Sequence, residues 1–496
     1  MKAFKDVEAN RINYHKVINK NTVHRSSLIV PRFEQAKSNI SFINHFLLKR
    51  NNRDVVLKIT AINNEGFIKD SLSTEINEAK VYSFDLEAYF EDVSNIKEYL
   101  VEFYSDKNLF IPFPAVMINH IGNDFINSVH SYNRVLNDIF EDDKVNEHHV
   151  VESSVDVSIN DDYDTFFNFA TGPFKIKDEL QLSLIEEDKK FKQLKLEMGR
   201  LSNTNIFLSN FYDQNIKNDA ILKILQPKQK LFYGRLLAGK INKQTRAFSA
   251  NHSYYDSSST KEYFDNNLSM RTNPFFNNCL NKITMFPIMS PSALEVYAEI
   301  YSENDKETFK SDIKNINSPS KKKISFDINK LVEKSNFKNV SLFKIVARSV
   351  DGKIPTRVNY QLIYGDKNSS SKLQSSVGVS LTNESIFTPK TKTGLTWGQV
   401  VIDKSYETRL GICFNNNSGD AEPVSIEFYN ETGLLTKINK ELKPNSSLIF
   451  DNNFLNKLNS FSKFVWYVAK SKRADLQAES FHYHIPTGNA SGEHSF

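Results

Sequence analysis

The sequence predicts an all-β chain, a tandem array of four divergent antiparallel β-sandwich domains, Ig-like or jelly-roll-like, joined by short helical or acidic linkers. Three observations predict it. Apolar residues alternate over short runs bounded by Asn, Asp, Gly and Ser turns, the pattern of half-buried strands. The 496 residues include 38 Phe and 20 Tyr, side chains that favour strands and sandwich cores, against only 16 Gly. One order of elements also recurs along the chain, and its ending is echoed without a gap: Met117–Tyr132 (MINHIGNDFINSVHSY) against Phe481–Phe496 (FHYHIPTGNASGEHSF). His120 then meets His484, and His130 meets His494. A shorter echo, His252-Ser253-Tyr254, lies between them.

In order, residues 1–35 read as a polar arm. The first unit, 36–140, holds the apolar run Ile40–Leu48, a strand at Val55–Ile62, a turn at Asn63-Asn64-Glu65-Gly66, then Val81–Leu86 and Glu98–Tyr104, and it ends in a hairpin. Its last part, Arg134–Phe140, has helical spacing. Residues 141–164 form an acidic linker. The second unit (165–256), a polar linker (257–278) and the third unit (279–382) follow. A Thr/Lys-rich linker (383–395) leads to the fourth unit (396–496). Ser83-Phe84-Asp85 and Ser325-Phe326-Asp327 are expected in equivalent strands, and Asn430-Glu431-Thr432-Gly433 repeats the turn of the first unit. Units of this size suit sandwiches of seven or eight strands.

Composition excludes several function classes. The charge of +4 comes from 63 basic and 59 acidic residues, without the concentrated basic face of a nucleic-acid-binding protein. Lys321-Lys322-Lys323 reads as a solvated strand edge. No run approaches the roughly 18 apolar residues of a membrane helix, and the first residues show no signal-peptide core. Cys279 and Cys413, the only cysteines, read as buried small hydrophobes in a reducing compartment. The expected location is cytoplasmic, with leaderless secretion or a virion as the alternatives. Neither GxGxxG nor GxxxxGK[ST] occurs, and no catalytic residue is legible.

Chemistry therefore rests on the hairpins. A turn about Phe125 would set His120 opposite His130, and a turn about Asn489 would set His484 opposite His494. Opposed residues share a face with Cβ atoms about 4.5–5.5 Å apart. His482 shares the face of His484 by the period of two, so His482, His484 and His494 form a candidate three-imidazole metal set. Glu493 should point the other way. His120, His130, Tyr132, His252 and Tyr254 are candidate ligand-binding residues, and the plain alternative is that they bond Ser, Tyr or backbone groups across strands. Trp397, Trp466 and Tyr483 are aromatic candidates for sugar stacking or for core. Asp156, Asn160, Asp161, Asp162 and Asp164 miss the calcium-loop spacing, and His148-His149 with Glu152 misses the zinc-helix pattern.

The expectation is a non-catalytic protein that binds a glycan, a surface or other copies of itself through repeated His/aromatic hairpins, with no cofactor, no nucleic acid and no membrane insertion. The alternative is a metal-dependent enzyme, carbohydrate-directed, with a divalent transition metal on the C-terminal hairpin. Metal content separates the two.

Overall fold

The computed structural model describes residues 2–3, 24–105, 114–130, 132–135, 152–185, 191–212, 216, 220–255, 262–285, 290–303, 307–317, 323–381, 394–415, 420–473 and 475–496. The expected alternation is realised in it. In Ile176–Ile185, Leu180, Leu182 and Leu184 are buried while Gln181 and Ser183 are not. Among the described residues the chain is almost entirely antiparallel sheet; the one parallel pair joins Lys2–Ala3 to Glu262–Asp265. Helix is confined to short pieces: α1 (His45–Arg50), α2 (Ile328–Ser335) and α3 (Asn452–Leu455).

The chain divides into two compact units, Asn10–Tyr255 and Asp256–Phe496 with Met1–Ala9. Within Asn10–Tyr255 the first eight main strands are β1 (His24–Pro31), β2 (Lys37–Ile43), β3 (Val56–Asn63), β4 (Ile68–Glu75), β5 (Val81–Asp85), β6 (Ile96–Tyr104), β7 (Met117–Ile121) and β8 (Ile126–His130). They form two sheets, ordered β1-β6-β3-β4 and β5-β2-β7-β8. The next eight are β9 (Glu152–Asp156), β10 (Tyr163–Ala170), β11 (Ile176–Ile185), β12 (Phe191–Met198), β13 (Asn203–Phe207), β14 (Ile221–Leu225), β15 (Leu237–Asn242) and β16 (Phe248–His252). Their sheets run β9-β14-β11-β12 and β13-β10-β15-β16, the same order shifted by eight.

The unit containing Asp256–Phe496 repeats the arrangement. Strands β17 (Leu268–Pro274), β18 (Cys279–Met285), β19 (Leu294–Tyr301), β20 (Thr308–Lys310), β21 (Ile324–Asp327), β22 (Leu342–Ser349), β23 (Asn359–Asp366) and β24 (Val377–Ser380) form β17-β22-β19-β20 and β21-β18-β23-β24. Strands β25 (Gly394–Val401), β26 (Tyr406–Phe414), β27 (Glu422–Asn430), β28 (Gly433–Leu442), β29 (Leu448–Phe450), β30 (Phe464–Ser471), β31 (Leu476–His484) and β32 (Ala490–His494) form β25-β30-β27-β28 and β29-β26-β31-β32. Apolar clusters lie between the paired sheets of the second, third and fourth sets, and Phe42 on β2 meets Phe103 on β6 edge-on in the first. This order is not that of the immunoglobulin fold, where strands one, two, five and four share a sheet. Here strands one and six are neighbours in every set.

Local chemistry explains the recurrent parts. Strand five ends in Phe84-Asp85 or Phe326-Asp327 at the edge of its sheet, opposite Ile40-Asn39 and Ile283-Lys282. A helical turn follows it in all four sets and buries one aliphatic side chain: Leu86, Leu208, Ile328 or Leu455. Asp327 caps its helix by accepting from Lys330 N, and Asp451 caps α3 from Asn453 N. The turns Asn63–Gly66 and Asn430–Gly433 link strands three and four, with Gly66 at φ +79° and Gly433 at φ +120°, a region that favours glycine.

Two linker expectations meet strands instead. Arg134–Val135, expected as the start of a helix, forms a short strand beside β1. Glu152–Asp156, placed in the acidic linker, is β9 and pairs with β14. In both places ladder bonding to a neighbouring strand outweighs local spacing and charge. Residues 136–140, 148, 149, 321 and 322 lie outside the described residues.

Candidate metal-ligating residues

Hairpin register decides which histidines can act together. In β7–β8 the tight turn is Gly122–Phe125, closed by Gly122 N donating to Phe125 O (2.9 Å). The ladder therefore sets His120 opposite Asn127 and His130 opposite Met117. His120 and Met117 are three apart, so His120 and His130 leave opposite faces, which corrects the expected pair. In β31–β32 His494 lies opposite Glu479, and His482 opposite Ser491. His482 and His484 share one face, while His494 takes the other. The three-imidazole set is not formed. The cause is where each turn falls: the ladders centre between Asn123 and Asp124 and between Pro486 and Thr487, not at Phe125 and Asn489, and both slips are odd.

The individual histidines have distinct surroundings. His120 is fully buried, meets Phe33 edge-on at 4.8 Å, and has Nε2 3.4 Å from the hydroxyl of buried Tyr132. Burial lowers its pKa to about 3. His120 and Tyr132 are thus core residues rather than a ligand surface. His482 and His484 pack against Tyr406, at 5.7 and 5.3 Å. His484 Nδ1 also lies 3.0 Å from Thr487 Oγ1. Tyr254 belongs to the short strand Tyr254–Tyr255, which pairs with Ser153–Ser154 of β9. Trp397 and Trp466 are buried and sandwich Phe496, each 6.1 Å away. The Asp156–Asp164 stretch is occupied structurally: Asp156 pairs with Lys240 (3.1 Å), Asn160 closes its own turn, and Asp164 takes the Ser209 hydroxyl.

What the fold does bring together in Asn10–Tyr255 is His130 and His252. Each is the last residue of strand eight in its set, at the edge of its sheet. Both are 3% exposed. Their rings meet edge-on with centroids 5.1 Å apart, and a ligating nitrogen of each lies within 4.8 Å of the other. Burial, reinforced by Arg235 and Arg134, holds His130 well below the usual histidine value. It is therefore a neutral imidazole, the form that binds metal.

In the unit containing Asp256–Phe496, the strand-eight histidine is His494, and its donor partner is its neighbour Glu493. His494 Nδ1 donates to the Ser495 carbonyl (2.7 Å), which leaves the lone pair on Nε2. Nε2 is 3.8 Å from Glu493 Oε1. Glu493 leaves the strand on the other face, yet its buried carboxylate accepts from the adjacent His494 N (2.9 Å) and so stays near the His494 ring. Sequence spacing could not show this, because alternation assigns Glu493 to the wrong side. In the third set strand eight ends in Ser380, which offers no such donor.

No family model matches the chain, and no curated protein matches it. Among solved structures, the tetra-tandem repeat in the extending region of a large adhesion protein is similar at 8% identity, covering 94% of this chain and 97% of that one, with a TM-score of 0.10. The native conformation of E. coli alpha-2-macroglobulin is similar at 7% identity, covering 95% of this chain and 28% of that one, with a TM-score of 0.09. Scores this low carry no argument about fold or function. Among the described residues, no helix is long and apolar enough to cross a membrane.

Proposed function

We propose that this is a metal-binding protein built of four divergent repeats of one eight-strand sandwich, in which strand-eight histidines supply the ligands. The observation that carries the reading is the His130–His252 pair, two buried imidazoles with donor atoms within 4.8 Å at equivalent strand ends. Their donor chemistry fits zinc or another borderline transition metal, which takes imidazole nitrogen at about 2.0–2.1 Å. Burial leaves little access for a substrate, so the role is non-catalytic: the ion would clamp β8 to β16 and stiffen the packing of one repeat on the next. Arg134 and Arg235 oppose the ion's charge and keep the affinity of this pair modest.

The Glu493–His494 pair supports a second reading for the other unit. His494 is a quarter exposed, so an ion held there would keep positions open to water or a ligand, as catalytic sites do. Elemental analysis after zinc loading and dialysis tests both. The wild type should retain zinc and melt higher with it, reversibly on chelation. H130A/H252A should lose the clamp's share, and E493Q/H494A the share of the other pair. A zinc content and melting temperature identical in wild type and both double variants would overturn the proposal.

A further inference from the structure

Within Asn10–Tyr255, a cavity of about 270 Å³ opens between the first and second strand sets, away from any residue assigned above to metal. Its walls come from the β1–β2 turn (Arg32, Gln35), the approach to β6 (Lys97), β13 (Asn205, Phe207) and the β15–β16 turn (Arg246), with Phe33 and Phe166 as a buried apolar floor. We propose that it binds one acidic sugar unit, a hexuronate or a similar ring bearing a carboxylate.

Charge makes the first part of the case. Arg32, Lys97 and Arg246 line the cavity against a single carboxylate, Glu34. Among the described residues none of the three cations forms an ion pair, whereas the partly buried Lys240 and Lys470 do. Arg32 Nε is buried and has no hydrogen-bond partner among the described residues. A buried N–H without an acceptor is costly, and a guanidinium beside a second and third cation is the arrangement that selects a carboxylate.

Shape and polarity make the second part. The volume falls just under the roughly 300 Å³ at which pockets for drug-sized ligands begin, so the occupant is small. Gln35, Asn64 and Asn205 add amides that both donate and accept, the chemistry that hydroxyl groups need. Asn205 Oδ1 already accepts from Asn168 (2.8 Å), which leaves its amide hydrogens for a ligand. Phe207 lies under the Arg246 guanidinium at 5.5 Å, and its ring offers a flat apolar surface beside the charge. Cations alone would suit any anion. Cations, amides and phenyl rings together suit an anionic polyol.

Calorimetric titration of the full chain with glucuronate, glucose and inorganic sulfate tests the proposal. Glucuronate should bind, glucose should bind at least about tenfold more weakly, and sulfate should not match glucuronate. R246M and K97M should each weaken glucuronate binding by about tenfold with unchanged melting temperature, since Arg246 is exposed and Lys97 half-buried. No heat with glucuronate, equal affinity for glucose, sulfate binding as tightly as glucuronate, or two variants that bind like the wild type would each overturn it.

Discussion

The two units join their strand sets in the same order but bury charge at the seams in opposite ways. Between the third and fourth sets, Arg271 on β17 reaches Glu479 on β31 at 2.6 Å, with side chains 12% and 0% exposed. Burial pulls the Arg271 pKa down, and the Glu479 carboxylate more than offsets it, so the guanidinium stays charged. Between the first and second sets, Glu98 on β6 is equally buried but meets only an amide: Asn203 Nδ2 donates to Oε2 at 2.6 Å, and Oε1 has no partner among the described residues. Burial, only partly countered by Asn203 and Lys97, raises Glu98 to about 7. One seam neutralises a buried carboxylate with a counter-charge, the other with a proton. Strand order leaves the seam chemistry free: burial raises both carboxyls, but Arg271 opposes the rise at Glu479, while an amide and a lysine oppose it at Glu98.

Aromatic packing differs in the same sense. Phe481, from the fourth set, stacks on Tyr364 at 5.2 Å and joins the apolar core of the third. In the other seam Phe248 of the second set meets Phe33 and Phe125 of the first at 4.9 and 4.8 Å, with His120 at 5.8 Å. The imidazole there is held neutral by burial.

The largest expected effect breaks the charged seam. E479A leaves Arg271 buried without a counter-charge and should cost about 3–5 kcal/mol, read by calorimetric melting. The double variant R271M/E479L should recover most of that loss. Equal stability of E479A and wild type would remove the ion pair from the argument.

The next effect sharpens the contrast. A carboxyl raised from 4.5 to about 7 in the folded state binds more protons folded than unfolded between those values. Stability therefore falls as pH rises from about 4.5 to 7 and levels off above. At pH 8 the loss is on the order of 3 kcal/mol, and E98Q should abolish it. Hydrogen exchange of β1 and β6 amides at pH 5 and pH 8 would show the wild type loosening and E98Q unchanged. An identical pH response in both proteins would show that Glu98 titrates elsewhere.

The smallest effect concerns Phe496. It sits between Trp397 and Trp466, and its backbone exchanges hydrogen bonds with Trp397. Since it is only half-buried, F496A should cost about 1 kcal/mol. Removing residues 492–496 should cost more, because strand pairing at Gly492 and His494 goes with it. A truncated protein that melts like the full chain would show that this contact holds nothing together.

From the sequence alone come those properties that depend on neighbours within one strand or turn. Period-two alternation marked the strands, glycine marked the turns at Asn63–Gly66 and Asn430–Gly433, and the Ser-Phe-Asp tripeptides marked the fifth strand of two sets. The recurring His-Ser ending pointed to His130, His252 and His494 together. Register came only with the tertiary structure. The ladder of β31–β32 sets His494 opposite Glu479 rather than His484, five positions along, and a slip of odd length exchanges the faces. Alternation also hid Glu493, whose carboxylate folds back onto the backbone N–H of His494 and so comes within 3.8 Å of its ring nitrogen. Both seams were hidden too: Glu98 and Asn203 are 105 residues apart, Arg271 and Glu479 are 208 apart. No local pattern encodes pairings at that distance, because they follow from how two finished sheet pairs meet.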